Sequence, residues 1–123
     1  MKKIVYLVTE DWYFCSHRLD LAKAAKAQGY KVYVITRAGA LADKIIENGF
    51  VLIPIMIPRG IASPIRELNI IIELVKHYKN IKPDLVHHIA LKPIMSGSIA
   101  ARFAKVPRVV NTFAGLGNIF ISE

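Results

Sequence analysis

The residues of this chain able to bind or activate a ligand are few, and they cluster at three places. Asp11 and His17 follow the first apolar run, His88 and Lys92 follow a later one, and Gly115 and Gly117 follow the last. The imidazoles of His17 and His88 can donate or accept a hydrogen bond, and the Lys92 ammonium attracts anions. Glycine allows close backbone approach, so Gly115-Leu116-Gly117 reads either as a binding loop or as a plain turn. His77 and His87 read as structural hydrogen-bonders. His17 and His88 read as functional, because both fall on the same edge of the fold that the surrounding residues imply.

That fold is built from repeated strand–helix units. Ile4 to Val8 is an apolar run short enough for a strand, and Thr9 and Glu10 end it. Asp11-Trp12-Tyr13-Phe14 reads as a loop whose aromatics either fold back on the core or meet a ligand. Ser16 is a good N-cap for a helix from His17 to Gln28, with Leu19, Ala22 and Ala25 on one stripe and Gly29 closing it. Lys31 to Thr36 is the second strand. Leu41 to Asn48 is a short helix, and Phe50 to Ile55 a third strand that Pro54 confines to an edge. Ser63-Pro64 opens a helix to about Asn80, with Ile65, Leu68, Ile71, Ile72, Val75 and Tyr78 expected on its buried side. Leu85 to His87 is the fourth strand and His88 to Lys92 a loop. Pro93 starts a helix of small residues, and Arg108 to Thr112 is the fifth strand. The alternation predicts an α/β, Rossmann-like parallel sheet in the order 3-2-1-4-5, with helices on both faces and ligands at the carboxyl ends of the strands. His17 is then expected at a helix start. His88 and Lys92 precede another, whose free amides attract anions.

At 123 residues and 54% hydrophobic, the chain is one domain at most, with strands buried on both faces. The single cysteine, Cys15, permits no internal disulfide and fits a reducing compartment. The apolar run after Lys2 and Lys3 is too short for a signal core, and no stretch approaches the roughly 18 apolar residues of a membrane span. The net charge of +8 suggests an anionic partner. The bases are dispersed, without interleaved aromatics, which argues against nucleic acid and leaves an anionic membrane surface open.

Several uses of this architecture are excluded. The first turn, Glu10-Asp11-Trp12-Tyr13-Phe14, is bulky and acidic where a dinucleotide site needs glycines. No phosphate-binding lysine loop occurs. A phosphoacceptor domain needs an aspartate ending strand three, where this chain has Pro54-Ile55-Met56.

Two stretches carry a family resemblance. Asp11-Trp12-Tyr13-Phe14, Ser16-His17-Arg18-Leu19 and Gly29-Tyr30 resemble the start of bacterial family 4 glycosyltransferases. Ala100-Ala101-Arg102-Phe103-Ala104, Val106-Pro107-Arg108-Val109-Val110, Asn111-Thr112 and Gly115-Leu116-Gly117 are similar to that family's later signature. The resemblance implies half of a GT-B architecture, with residues 1–123 as an incomplete amino-terminal Rossmann-like domain. A carboxyl-terminal domain, absent here, would hold most of the nucleotide-sugar donor. It implies a retaining transferase needing no metal and no cofactor, acting on a phosphorylated or lipid-linked sugar or a growing polysaccharide. It further implies a cytoplasmic site at the inner face of the membrane. Asp11, His17, His88, Lys92, Gly115 and Gly117 are the candidate substrate-binding residues, with His17 and His88 the candidates for chemistry. Two rivals stand beside this reading: half of a nucleotide-sugar 2-epimerase, and a non-catalytic docking domain with a basic surface.

Overall fold

The computed structural model describes residues 2–57 and 63–113. Five strands, β1 (Lys3–Glu10), β2 (Lys31–Arg37), β3 (Val51–Pro54), β4 (Leu85–Ile89) and β5 (Arg108–Thr112), pair in the order β3-β2-β1-β4-β5. All four pairings are parallel. The expected order is observed, and Pro54 does lie in an edge strand, where its missing amide costs no ladder bond.

The helices are α1 (Asp11–His17), α2 (Leu19–Ala27), α3 (Ala42–Glu47), α4 (Pro64–Ile81) and α5 (Leu91–Ala104). They divide between the two faces of the sheet, as right-handed crossovers running first toward one edge and then the other require. On one face, Phe14, Leu19, Ala22 and Ile45 from α1, α2 and α3 pack on Ile4, Tyr6, Val8, Val32 and Val34. On the other, Ile70, Leu74, Tyr78 and Ala100 from α4 and α5 pack on Val5, Leu7, Ile35 and Val86. Strands β1 and β2 are apolar on both sides because both sides are covered.

Local signals often gave the right element. Ser63 caps α4, its hydroxyl accepting from the Arg66 amide at 3.3 Å, with Pro64 in the first turn. Leu19 and Ala22 are buried and Ala25 half-buried, as the stripe predicted.

Three expectations are corrected. The stretch Asp11–Phe14 is helix, not loop. Helix α1 starts directly after β1, breaks at Arg18 (φ −124, ψ −4), and α2 follows. Ser16 therefore caps nothing, and His17 ends a helix instead of starting one. The cause is Asp11, whose carboxylate suits a first turn and binds the loop after β2. Second, β4 runs through His88 and Ile89, and α5 begins at Leu91, so the segment read as a loop is strand end and helix start. Ala90 makes the turn between them with φ 81 and ψ 163, a region glycine ordinarily occupies. Its amide is held by the Thr112 carbonyl at 2.9 Å.

The third correction concerns α4. Ile70, Leu74, Tyr78 and Ile81 are buried, with Ile71 and Val75 half-buried. Ile65, Leu68 and Ile72, expected inside, are 73%, 55% and 44% exposed. The helix is apolar on two sides, and the sheet takes only one of them.

Candidate functional site

The carboxyl ends of β1, β2, β4 and β5 form the edge on which the candidates were expected. Asp11 is 4% exposed. Its Oδ2 accepts from the Gly39 amide at 2.7 Å and the Leu41 amide at 3.1 Å, so the carboxylate is spent on the turn into α3. Beside it Glu10 and Arg37 pair at 3.0 Å across the ends of β1 and β2. His17 lies exposed at the last turn of α1 with its ring stacked on Tyr13, centroids 4.3 Å apart. Lys92, half-buried in the first turn of α5, reaches Glu67 of α4 at 3.5 Å, and the Ser96 hydroxyl donates to the same carboxylate at 3.5 Å. Gly115 and Gly117 lie outside the described residues.

His88 is wholly buried, on the α4–α5 side of the sheet, whereas His17 belongs to the helices of the opposite face. The structure does not bring the two together. The His88 ring is held at both nitrogens. Its Nδ1 lies 2.9 Å from Asn111 Oδ1, and its Nε2 lies 3.0 Å from the Tyr78 hydroxyl. An amide oxygen only accepts, so Nδ1 carries the proton, Nε2 accepts, and Tyr78 donates. Burial, opposed by the bond to Asn111 and reinforced by nearby His87, pulls the His88 pKa from 6.5 to about 4. Its neighbour His87 faces the other way. There it lies beside Tyr6 and meets the Thr112 hydroxyl at 2.7 Å. The two histidines of β4 thus fix two successive polar residues of β5, one on each face. This joins His87 and His88 in one structural device.

A pH dependence follows from His88. The unfolded histidine binds its proton near 6.5 and the folded one only near 4. Stability from this group is therefore complete above 6.5 and declines as pH falls toward 4, by about 3 kcal/mol in all. Urea midpoints between pH 7.5 and 4.5 should drop more steeply for the native chain than for His88→Gln. Equal slopes would contradict the assignment.

Arg18 sits in the break between α1 and α2, although its sequence neighbours suggest mid-helix. Its Nε is buried and has no hydrogen-bond partner. The only signal was its place beside His17 in the motif Ser16-His17-Arg18-Leu19.

The family model described as glycosyl transferase 4-like matches residues 3–121. The chain belongs to the glycosyl transferase 4-like family. Over 106 residues it is 28% identical to N,N'-diacetylbacillosaminyl-diphospho-undecaprenol alpha-1,3-N-acetylgalactosaminyltransferase of Campylobacter jejuni, covering 86% of the chain and 28% of that relative. A glycosyltransferase from Rickettsia africae shares the fold with a TM-score of 0.75 at 20% identity, covering 91% of the chain and 29% of that structure. MurG from Acinetobacter baumannii does so with a TM-score of 0.74 at 21% identity, covering 99% of the chain and 38% of that structure. This glycosyl transferase 4-like chain thus spans about a third or less of two of these proteins and somewhat more of the third.

Proposed function

We propose that the chain is the acceptor-side half of a glycosyltransferase that moves a sugar from a nucleotide-sugar to a lipid-linked or polysaccharide acceptor. The family match over residues 3–121 carries this reading. The Campylobacter relative, whose name specifies a diphospho-undecaprenol acceptor, supports the lipid-linked version. The fold alone would suit an epimerase equally, so the family match is what favours transfer. In this reading a second Rossmann-like domain holds most of the donor, and this chain positions the acceptor hydroxyl. His17 and Lys92 stand as candidate contacts at the carboxyl edge, with Gly115 and Gly117 on the segment after β5. His88 acts from beneath by holding Asn111, and Asp11 by holding the turn at Gly39.

The acceptor side would work at a membrane surface. No described helix is long and apolar enough to cross a membrane. The outward side of α4 instead carries Ile65, Leu68 and Ile72, followed by exposed Lys76 and Lys79. Apolar residues beside cations suit the boundary between acyl chains and anionic headgroups. Arg66 and Trp12 are exposed as well and remain candidate contacts, while Arg59 lies outside the described residues.

Two measurements test this reading. A soluble diphosphate-linked N-acetylhexosamine should bind the chain more tightly than a nucleotide-sugar does, and the reverse order would sink the acceptor assignment. Sedimentation with phosphatidylglycerol vesicles should show weak binding that falls as salt rises. The double substitution Leu68→Glu and Ile72→Glu should weaken it about tenfold or more. Binding that ignores both salt and these substitutions would contradict the membrane role.

A further inference from the structure

The described residues do not cover the whole width of the face of the sheet that carries α1, α2 and α3. Helix α1 packs chiefly on β1, α2 on β2 and α3 on β3, while α5 serves β4 and β5 from the opposite side. Among the described residues the helices of the α1 side make at most marginal contact with β5, which leaves a strip beyond the buried Ile89 of β4. The register pairs His87 with Val110 and Ile89 with Thr112, so these four side chains share that face. Val110 is 42% exposed there. In the floor of the strip the His87 ring and the Thr112 hydroxyl are bonded to each other at 2.7 Å.

Arg18 lies in the break between α1 and α2, on this same face of the sheet. Its charge acts on Tyr6 and His87, which are adjacent in the β1–β4 register and point to this face. Arg18 is half-buried, its Nε is closed to solvent without a hydrogen bond, and no carboxylate pairs with it among the described residues. The acids nearest in sequence are engaged elsewhere: Glu10 with Arg37, Asp11 with two backbone amides. A partly buried cation with an unmet donor is costly unless something anionic completes it. A planar guanidinium presents parallel N–H groups that match two oxygens of one phosphate.

We propose that this strip is a phosphate-binding site, with Arg18 as the cation that grips the anion and the paired His87 and Thr112 as its polar floor. The ligand class is a diphosphate ester. Resting on the acceptor-side reading, the diphosphate is that of a lipid-linked acceptor. The strip lies where β1 and β4 send their crossovers to opposite faces, the place where open parallel sheets take their ligands. It is separate from the Lys92–Glu67 pair, which belongs to the other face.

The test uses inorganic pyrophosphate added to the chain while the Arg18 Nε–H signal is followed by NMR. Saturable binding with a shift of that signal is expected. Arg18→Met keeps the aliphatic stem and removes the fork, and it should weaken binding about tenfold or more. Arg18→Lys keeps a charge without the fork and should fall between the two. If Arg18→Met does not fold, the lysine variant and the native Nε–H signal decide. An absent shift, or pyrophosphate affinity unchanged in either variant, overturns the site. Competition then separates site from source. Displacement of pyrophosphate by farnesyl diphosphate supports the acceptor diphosphate. Displacement by a nucleoside diphosphate alone keeps the phosphate site but overturns its assignment to the acceptor.

Discussion

Replacing Gly97 with alanine is expected to destabilise the chain by about 2–4 kcal/mol, although the change favours the helix locally. In the interior of a helix alanine is better than glycine by up to about 1 kcal/mol. Gly97 lies in α5 directly against the His88 ring. A Cβ built there would overlap Cδ2 and Nε2 of that ring and stand 2.9 Å from Cε1. The ring cannot swing aside cheaply, because Tyr78 and Asn111 hold it at opposite nitrogens. Either α5 moves off the sheet, which loosens a close-packed core, or the ring moves and buried polar groups lose their partners. Urea unfolding measures the effect. Combining Gly97→Ala with His88→Ala should cost less than the sum of the two, since the second change removes the obstacle. A Gly97→Ala chain as stable as the native one would show that the contact does not constrain α5.

Turnover of a nucleotide-sugar by the 123-residue chain alone is expected to be undetectable, and joining it to a donor-binding domain of the family should restore transfer. Sugar transfer requires donor phosphates and acceptor hydroxyl to be held together at one moment. Such positioning is worth on the order of 10⁵-fold or more in rate. In the proposed reading this chain supplies one wall of the cleft. It covers 28% of the Campylobacter relative and 29% of the Rickettsia structure, so most of such a protein is not represented in it. An open wall also leaves water to screen the charges it presents. Radiolabelled sugar incorporation into a diphosphate-linked acceptor, with and without the added domain, measures the difference. Ordinary enzymatic turnover by the isolated chain would overturn the division of labour proposed above.

Much of the fold was legible because its signals are local. A short apolar run, a proline that forbids a central strand, and Ser63-Pro64 at a helix start each act within a few residues. Crossover handedness then orders the strands with no knowledge of side-chain contacts. The candidate site was less legible. His88 looked like an edge residue because its strand appeared to end at His87, yet two more residues pair with β5. Arg18 looked like helix surface because the break between α1 and α2 leaves no mark in the residue types.

By itself, then, the amino-acid sequence determined the five parallel strands, their order, the edge position of Pro54 and the family. Only the tertiary structure decided which side of α4 is covered, that Asp11 holds a loop, and that the two histidines of β4 serve opposite faces. The physical reason is that secondary structure follows from period and chain stereochemistry, whereas burial is a relation between elements. On α4 the periodicity permits Ile70 or Ile72 to face inward, and nothing within the helix chooses between them. The choice is made by the shape of the sheet and by α5, whose Gly97 leaves room for His88 under Tyr78.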